Sequence, residues 1–189
     1  MTTMTKPIIT NQKGEPAWAV AELFPPQGFW SEEEYLSMTD GTNRRVELVN
    51  GCLEVLPMPT EQHQDIFDYL YIVFRTVAQH MGGKVYAAGM RVRLGGRHFR
   101  EPDIVFMRSK LDPRRGNRYW RGADLAVEIV SDDPKDRERD LVTKRQEYAQ
   151  AGILEYWIVD PENETINVLT LQGDQYAEHG HFMRGQTAT

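Results

Sequence analysis

A chain of 189 residues with 40% apolar and 26% charged side chains has the profile of one soluble domain with a core of its own. The net charge of −6 argues against a protein that coats nucleic acid, and the longest apolar runs, such as "YLYIVF", are too short to span a bilayer. The single cysteine, Cys52, excludes an internal disulfide and fits a reducing cytoplasm.

"MTTMTKPIITNQKGEP" carries no apolar h-region, so no signal peptide is expected there. Residues 1–27 are polar and proline-punctuated, and read as a loose arm ahead of a domain at 28–172. A first helix should start at Ser31, which caps it in an S-x-x-E box with Glu34 while Trp30 staples onto Tyr35. "RVELVNGCLEV" then predicts a β-hairpin turning at Asn50-Gly51. "TEQHQDIFDYLYIVFRTVAQHMGG" is the main helix: apolar residues recur at 66, 69, 70, 73, 74, 77 and 81, and Gly82-Gly83 ends it. Strands follow near 84–87 and 90–94, then a Gly95-Gly96 turn, the strand "EPDIVF" and, after a basic loop, the strand "LAVEIVS". Beyond the polar "SDDPKD" comes a helix to about Ala151, closed by Gly152, and two last strands, "EYWIVD" and "TINVLTL". From Gly173 to the end the chain reads as a frayed tail. This order predicts an α/β domain, a mixed sheet with helices on its faces.

Charge is unevenly spread. From Arg91 to Arg121 there are ten Lys/Arg and three Asp/Glu, a net of +7 against −13 for the rest. Such a stretch, with Arg114, Arg115 and Arg118 at its centre, is either a phosphate footprint or a solvated loop.

Two acids lie where strands should be apolar. Asp103 opens "DIVF" behind Pro102, and Glu128 stands between Val127 and Ile129. An ionised carboxylate is costly to bury unless it is paired or holds a metal. Two such groups at one sheet edge, with backbone carbonyls and water, make a hard oxygen site suited to Mg²⁺ or Mn²⁺. On the following helix Asp140, Lys144 and Tyr148 share a face, which would bring an ammonium near the carboxylates.

"EPD", then "VEIVS", then "DLVTKRQEYAQAGILEYWIVDP" together resemble the PD-(D/E)xK restriction-endonuclease-like superfamily, and within it the Uma-type group of small endonucleases. The similarity runs from about Ser31 to Leu171 and takes in "VELVNG" and "HQDI". It implies a restriction-endonuclease-like mixed central sheet with an N-terminal hairpin, Mg²⁺- or Mn²⁺-dependent cleavage of DNA, and a homodimer. Asp103 and Glu128 would bind the metal. The superfamily's lysine two positions after the second acid is here Val130, so Lys144 takes its place, as in the Uma-type group. Glu47 and His63 match further family positions. By its turn geometry Glu47 should face Glu54, an unfavourable pair unless a cation lies nearby or both are solvated. His63, in the first turn of the long helix, reads by itself as a capping or surface residue. The "DDPKD" loop departs from the family's small, uncharged turn, which keeps open a non-catalytic binding module on the same fold.

Overall fold

The computed structural model describes residues 23–42 and 44–188, so most of the expected arm, residues 1–22, lies outside the described residues. In chain order the first elements are α1 (Glu32–Thr39), β1 (Val46–Val49), β2 (Cys52–Val55), α2 (Glu61–Met81), β3 (Lys84–Ala87), β4 (Val92–Gly95) and β5 (His98–Arg100). Then come β6 (Ile104–Met107), β7 (Leu125–Ile129), α3 (Pro134–Glu138), a π-helical stretch (Arg139–Thr143), α4 (Lys144–Gln150), β8 (Glu155–Asp160), β9 (Thr165–Gln172) and β10 (Gln175–Met183).

Local chemistry sets the first elements. Ser31 and Glu34 close the expected capping box on α1. Asn50 and Gly51, with φ of 51° and 81°, supply the two left-handed residues of a tight hairpin turn. The hairpin β1–β2 then extends through β5 and β4 into a four-stranded sheet, order β2-β1-β5-β4, over a small core of Trp30, Tyr35, Leu36, Val46, Leu48 and Phe99.

The larger sheet has the order β10-β9-β8-β7-β6-β3. Its pairs are antiparallel except β7–β8, and a parallel pair needs a long crossover, here α3 through α4. Helix α2 is capped by Thr60 and stopped by Gly82 at φ 71°. It packs Leu70, Phe74 and Ala78 on one face of the sheet, against Ile104, Phe106, Val127 and Ile129. Ile66, Phe67 and Tyr71 pack half-buried against the same core, whereas Tyr69, Ile72, Val73, Val77 and Met81 are exposed. On the opposite face, Tyr148 and Ala149 of α4 meet Val105, Ala126, Tyr156 and Ile158. The result is a mixed α/β architecture with helices on both faces, as the sequence predicts.

The stretch after Gly173 corrects the expectation of a frayed tail. It is strand β10, paired with β9 along its length and bulged between Glu178 and Gly180. Only Tyr176 in β10 is buried, so the segment carries almost no apolar alternation by which to recognise a strand.

Candidate active site

Register brings the two acids together. Ile104 pairs with Val127, and the same register carried one residue further sets Asp103 opposite Glu128. Side-chain alternation puts Glu128 on the face of Ala126, towards α4, while Val127 and Ile129 point at α2. Both acids are buried, at 4% and 3% exposure.

Each acid has partners. Asp103 Oδ2 accepts from the Ile129 amide at 2.9 Å and lies 3.2 Å from His63 Nε2, and Oδ1 lies 3.5 Å from Arg45. Burial alone would raise the Asp103 carboxyl, but the His63 and Ile129 contacts outweigh it and hold the group below its ordinary range. Glu128 Oε1 accepts from the Tyr148 hydroxyl at 2.5 Å, and Oε2 lies 2.9 Å from Lys144 Nζ. Burial, with Asp140, Asp103 and Glu47 nearby, raises Glu128 against the pull of Lys144. Burial also raises Tyr148 well above the ordinary phenol, so its hydroxyl stays a donor.

The helix carrying Lys144 is irregular where it matters. Between Arg139 and Thr143 it is π-helical, and the Lys144 amide bonds back to the Arg139 carbonyl. The Asp140 carbonyl accepts from the Tyr156 hydroxyl at 2.8 Å. Asp140, Lys144 and Tyr148 all end up buried, as their spacing predicts, and Lys144 Nζ lies 3.0 Å from Asp140 Oδ1 as well as 2.9 Å from Glu128.

Glu47 does face Glu54 in the β1–β2 register. The cation that relieves the pair is Arg100, whose Nη1 lies 2.7 Å from a carboxylate oxygen of each. The other Glu47 oxygen accepts from the Glu101 amide at 2.8 Å, so Glu47 is a buried, saturated group and not a solvated one. Arg100 also grips Glu147 of α4 through Nε at 2.8 Å and Nη2 at 2.9 Å, tying the small sheet to the helix that carries Lys144. His63, in the first turn of α2, turns its ring onto Asp103.

In one cleft of about 230 Å³ Asp103, Glu128, Asp140, Lys144, His63 and Arg45 meet Glu101 and Arg139, with Asp132, Asp133 and Asp136 among the other lining residues. Arg45, Arg100, Glu101 and Arg139 do not stand out in the sequence, because nothing in a strand or loop period marks a charged residue that turns inward. Glu101 alone offers a signal, as the other acid of "EPD"; burial and the nearby Glu47 push it up to about 7.

The basic segment behaves differently. Arg114 is held by Asp112 at 2.9 Å and Asp124 at 2.6 Å, and Arg118 by Asp40 at 2.8 Å and Glu33 at 3.5 Å. Arg115 lies over the Trp120 ring and donates to the Lys110 carbonyl. None of the three lines the cleft. A second groove, sharing Arg45 and Glu101 with the first, is lined by Arg44, Arg91 and the Ala88–Gly89 turn.

Among the described residues, no group of three or more His, Cys, Asp and Glu side chains could by itself hold a metal ion. Two carboxylates facing one cleft are nonetheless what Mg²⁺ asks of a protein, because it keeps water and phosphate oxygens as its remaining ligands. Asp103 and Glu128 therefore fit such an ion.

Compared with known proteins, residues 32–189 match the family model described as "Uma2: Putative restriction endonuclease". The chain belongs to the Uma2 family. No curated protein matches it. Among solved structures it is similar to one described as a "putative nuclease belonging to DUF820" from Anabaena variabilis, at 21% identity and a TM-score of 0.63, covering 82% of this chain and 84% of that one. That likeness shows the restriction-endonuclease-like fold. The Uma2 description accords with a nuclease, and no described helix is long and apolar enough to cross a membrane.

Proposed function

We propose that this Uma2 protein is a DNA endonuclease that uses Mg²⁺ or Mn²⁺ held by Asp103 and Glu128. The observation that carries the reading is the pair of buried carboxylates opposed across β6 and β7, with a buried lysine within 3 Å of the second. When bound, the ion would acidify water and offset charge developing on the phosphate oxygens. The chain's own groups do the rest. The Ile129 amide and His63 fix Asp103, and Tyr148 fixes Glu128. The Lys144 ammonium orients the attacking water and steadies the phosphorane-like charge. Arg45 and Arg139, in the cleft wall, are placed to meet phosphate oxygens. Arg114, Arg115 and Arg118 belong to the reading as outlying phosphate contacts, of which Arg114 and Arg118 must first leave their carboxylates. Glu47 supports the site through Arg100 and the Glu101 amide. A homodimer and a cytoplasmic setting, with Cys52 a free thiol, complete the proposal.

Purified protein should cut DNA in Mg²⁺ or Mn²⁺, and EDTA, Asp103→Ala or Glu128→Ala should each abolish cleavage. Cleavage that survives Glu128→Ala would sink the assignment. Sedimentation equilibrium tests the homodimer.

A second reading, a non-catalytic binding module, is favoured by one observation: Glu128 has both oxygens engaged by Tyr148 and Lys144. DNA binding without cleavage in either metal would favour that reading.

A further inference from the structure

Lys144 has two carboxylate partners at nearly equal distance, Glu128 at 2.9 Å and Asp140 at 3.0 Å, and all three side chains are at most 4% exposed. Glu128 has no uncommitted oxygen, since Tyr148 donates to Oε1 and Lys144 to Oε2. A divalent ion bound to Oε2 would sit at about 2.1 Å, where it and the ammonium repel each other strongly. The lysine must then yield, but a buried ammonium with no partner is costly.

We propose that Asp140 is the positioning residue that takes the Lys144 ammonium off Glu128 and so frees Glu128 to serve as a metal ligand. The inference rests on the metal reading above. Asp140 is suited to the task because it is fixed independently of Lys144. Arg139 Nε lies 3.3 Å from its carboxylate, and the Tyr156 hydroxyl holds its carbonyl within the π-helical turn. Transfer of the ammonium by a small side-chain movement leaves no buried charge unpaired, and gives Asp103 and Glu128 together the two negative charges that a divalent cation meets. It also leaves the ammonium within the cleft, where it can act on water. An ordinary helical ion pair spaced four residues apart would need none of this; it would stabilise the helix and leave metal affinity unchanged.

The test is a double-mutant cycle read as Mg²⁺ and Mn²⁺ affinity by titration calorimetry without DNA, on wild type, Asp140→Asn, Lys144→Gln and the double variant. If Asp140 works through Lys144, Asp140→Asn should weaken metal binding about tenfold beside Lys144, and by no more than about threefold beside Gln, where only loss of a nearby charge remains. Equal factors on both backgrounds would overturn the inference and leave the metal reading standing. A wild type that binds neither ion would overturn both. Should the Lys144 variants not fold, a crystal structure of the wild type with the cation bound decides. Lys144 Nζ should then lie within hydrogen-bond distance of Asp140 and beyond it from Glu128; an ammonium still seated on Glu128 would overturn the inference.

Discussion

Arg100 is 1% exposed and lies within 2.9 Å of three glutamates, Glu47, Glu54 and Glu147. Its guanidinium fork serves all three directions at once, which a single ammonium cannot do. Arg100→Met should therefore cost about 3–5 kcal/mol in urea unfolding, because it leaves buried carboxylates unpaired, and Arg100→Lys should recover only part of that. Glu147 reports on the same network through pH. Burial would raise its carboxyl, but His98, 3.3 Å away, and the hydrogen bonds from Arg100 outweigh burial and hold it down at about 2. A depressed carboxylate adds stability above its unfolded pKa and loses it as pH falls through the folded value. The wild type should therefore lose about 3 kcal/mol from this one group between pH 4.5 and 2. Glu147→Gln should fall less steeply over that window in acid-unfolding curves; parallel curves would remove Glu147 from the network. The sequence exposes one half of this arrangement, since the Asn50-Gly51 turn sets Glu47 against Glu54. The relieving cation is not legible there, because β1 and β5 pair across some fifty residues and no local pattern encodes that.

Elements are most legible where their ends are chemical. Ser31 with Glu34, Thr60 with Gly82, and Asn50-Gly51 fix α1, α2 and the first hairpin through the chemistry of their own termini. The helix from 134 to 150 is legible as a helix but not as three segments, since one residue of π-helical slack leaves no mark on apolar spacing. The Tyr156 hydroxyl bonds to the backbone within that slack. Buried itself, this tyrosine donates to the Asp140 carbonyl inside the core. Tyr156→Phe should destabilise the protein by about 1–3 kcal/mol, the usual cost of a buried carbonyl left without its donor. An unchanged melting temperature would mean that the π-helical turn persists without it.

For the whole molecule, net charge by segment hides how its cations are paired. Several cations of the +7 stretch are paired, Arg91 and Arg118 with Asp40, Arg93 with Glu32, Arg118 also with Glu33, and Arg114 with Asp112 and Asp124. The groove that continues the cleft past Arg45 carries Arg44, which is exposed, and Arg91, which is paired with Asp40 at 2.7 Å. Neutralising Arg44 and Arg45 should reduce the log–log salt slope of DNA binding by about one unit for each phosphate no longer neutralised, and more than neutralising Arg114 and Arg118 does. The reverse ranking would return the footprint to the basic loop.

The last strand bears on how the protein can be handled. Strand β9, "TINVLTLQ", has neither charge nor proline nor glycine, the composition of a segment that pairs with copies of itself. In the folded chain β10 occupies its outer edge, and β10 in turn presents Glu178, two histidines and a bulge to solvent. A chain cut after Gly173, where the sequence invites trimming, would leave β9 as a bare edge. It should precipitate or form fibres where the full chain stays dispersed, as light scattering at matched concentration would reveal. Strand β10 thus keeps the edge of β9 from pairing with copies of itself.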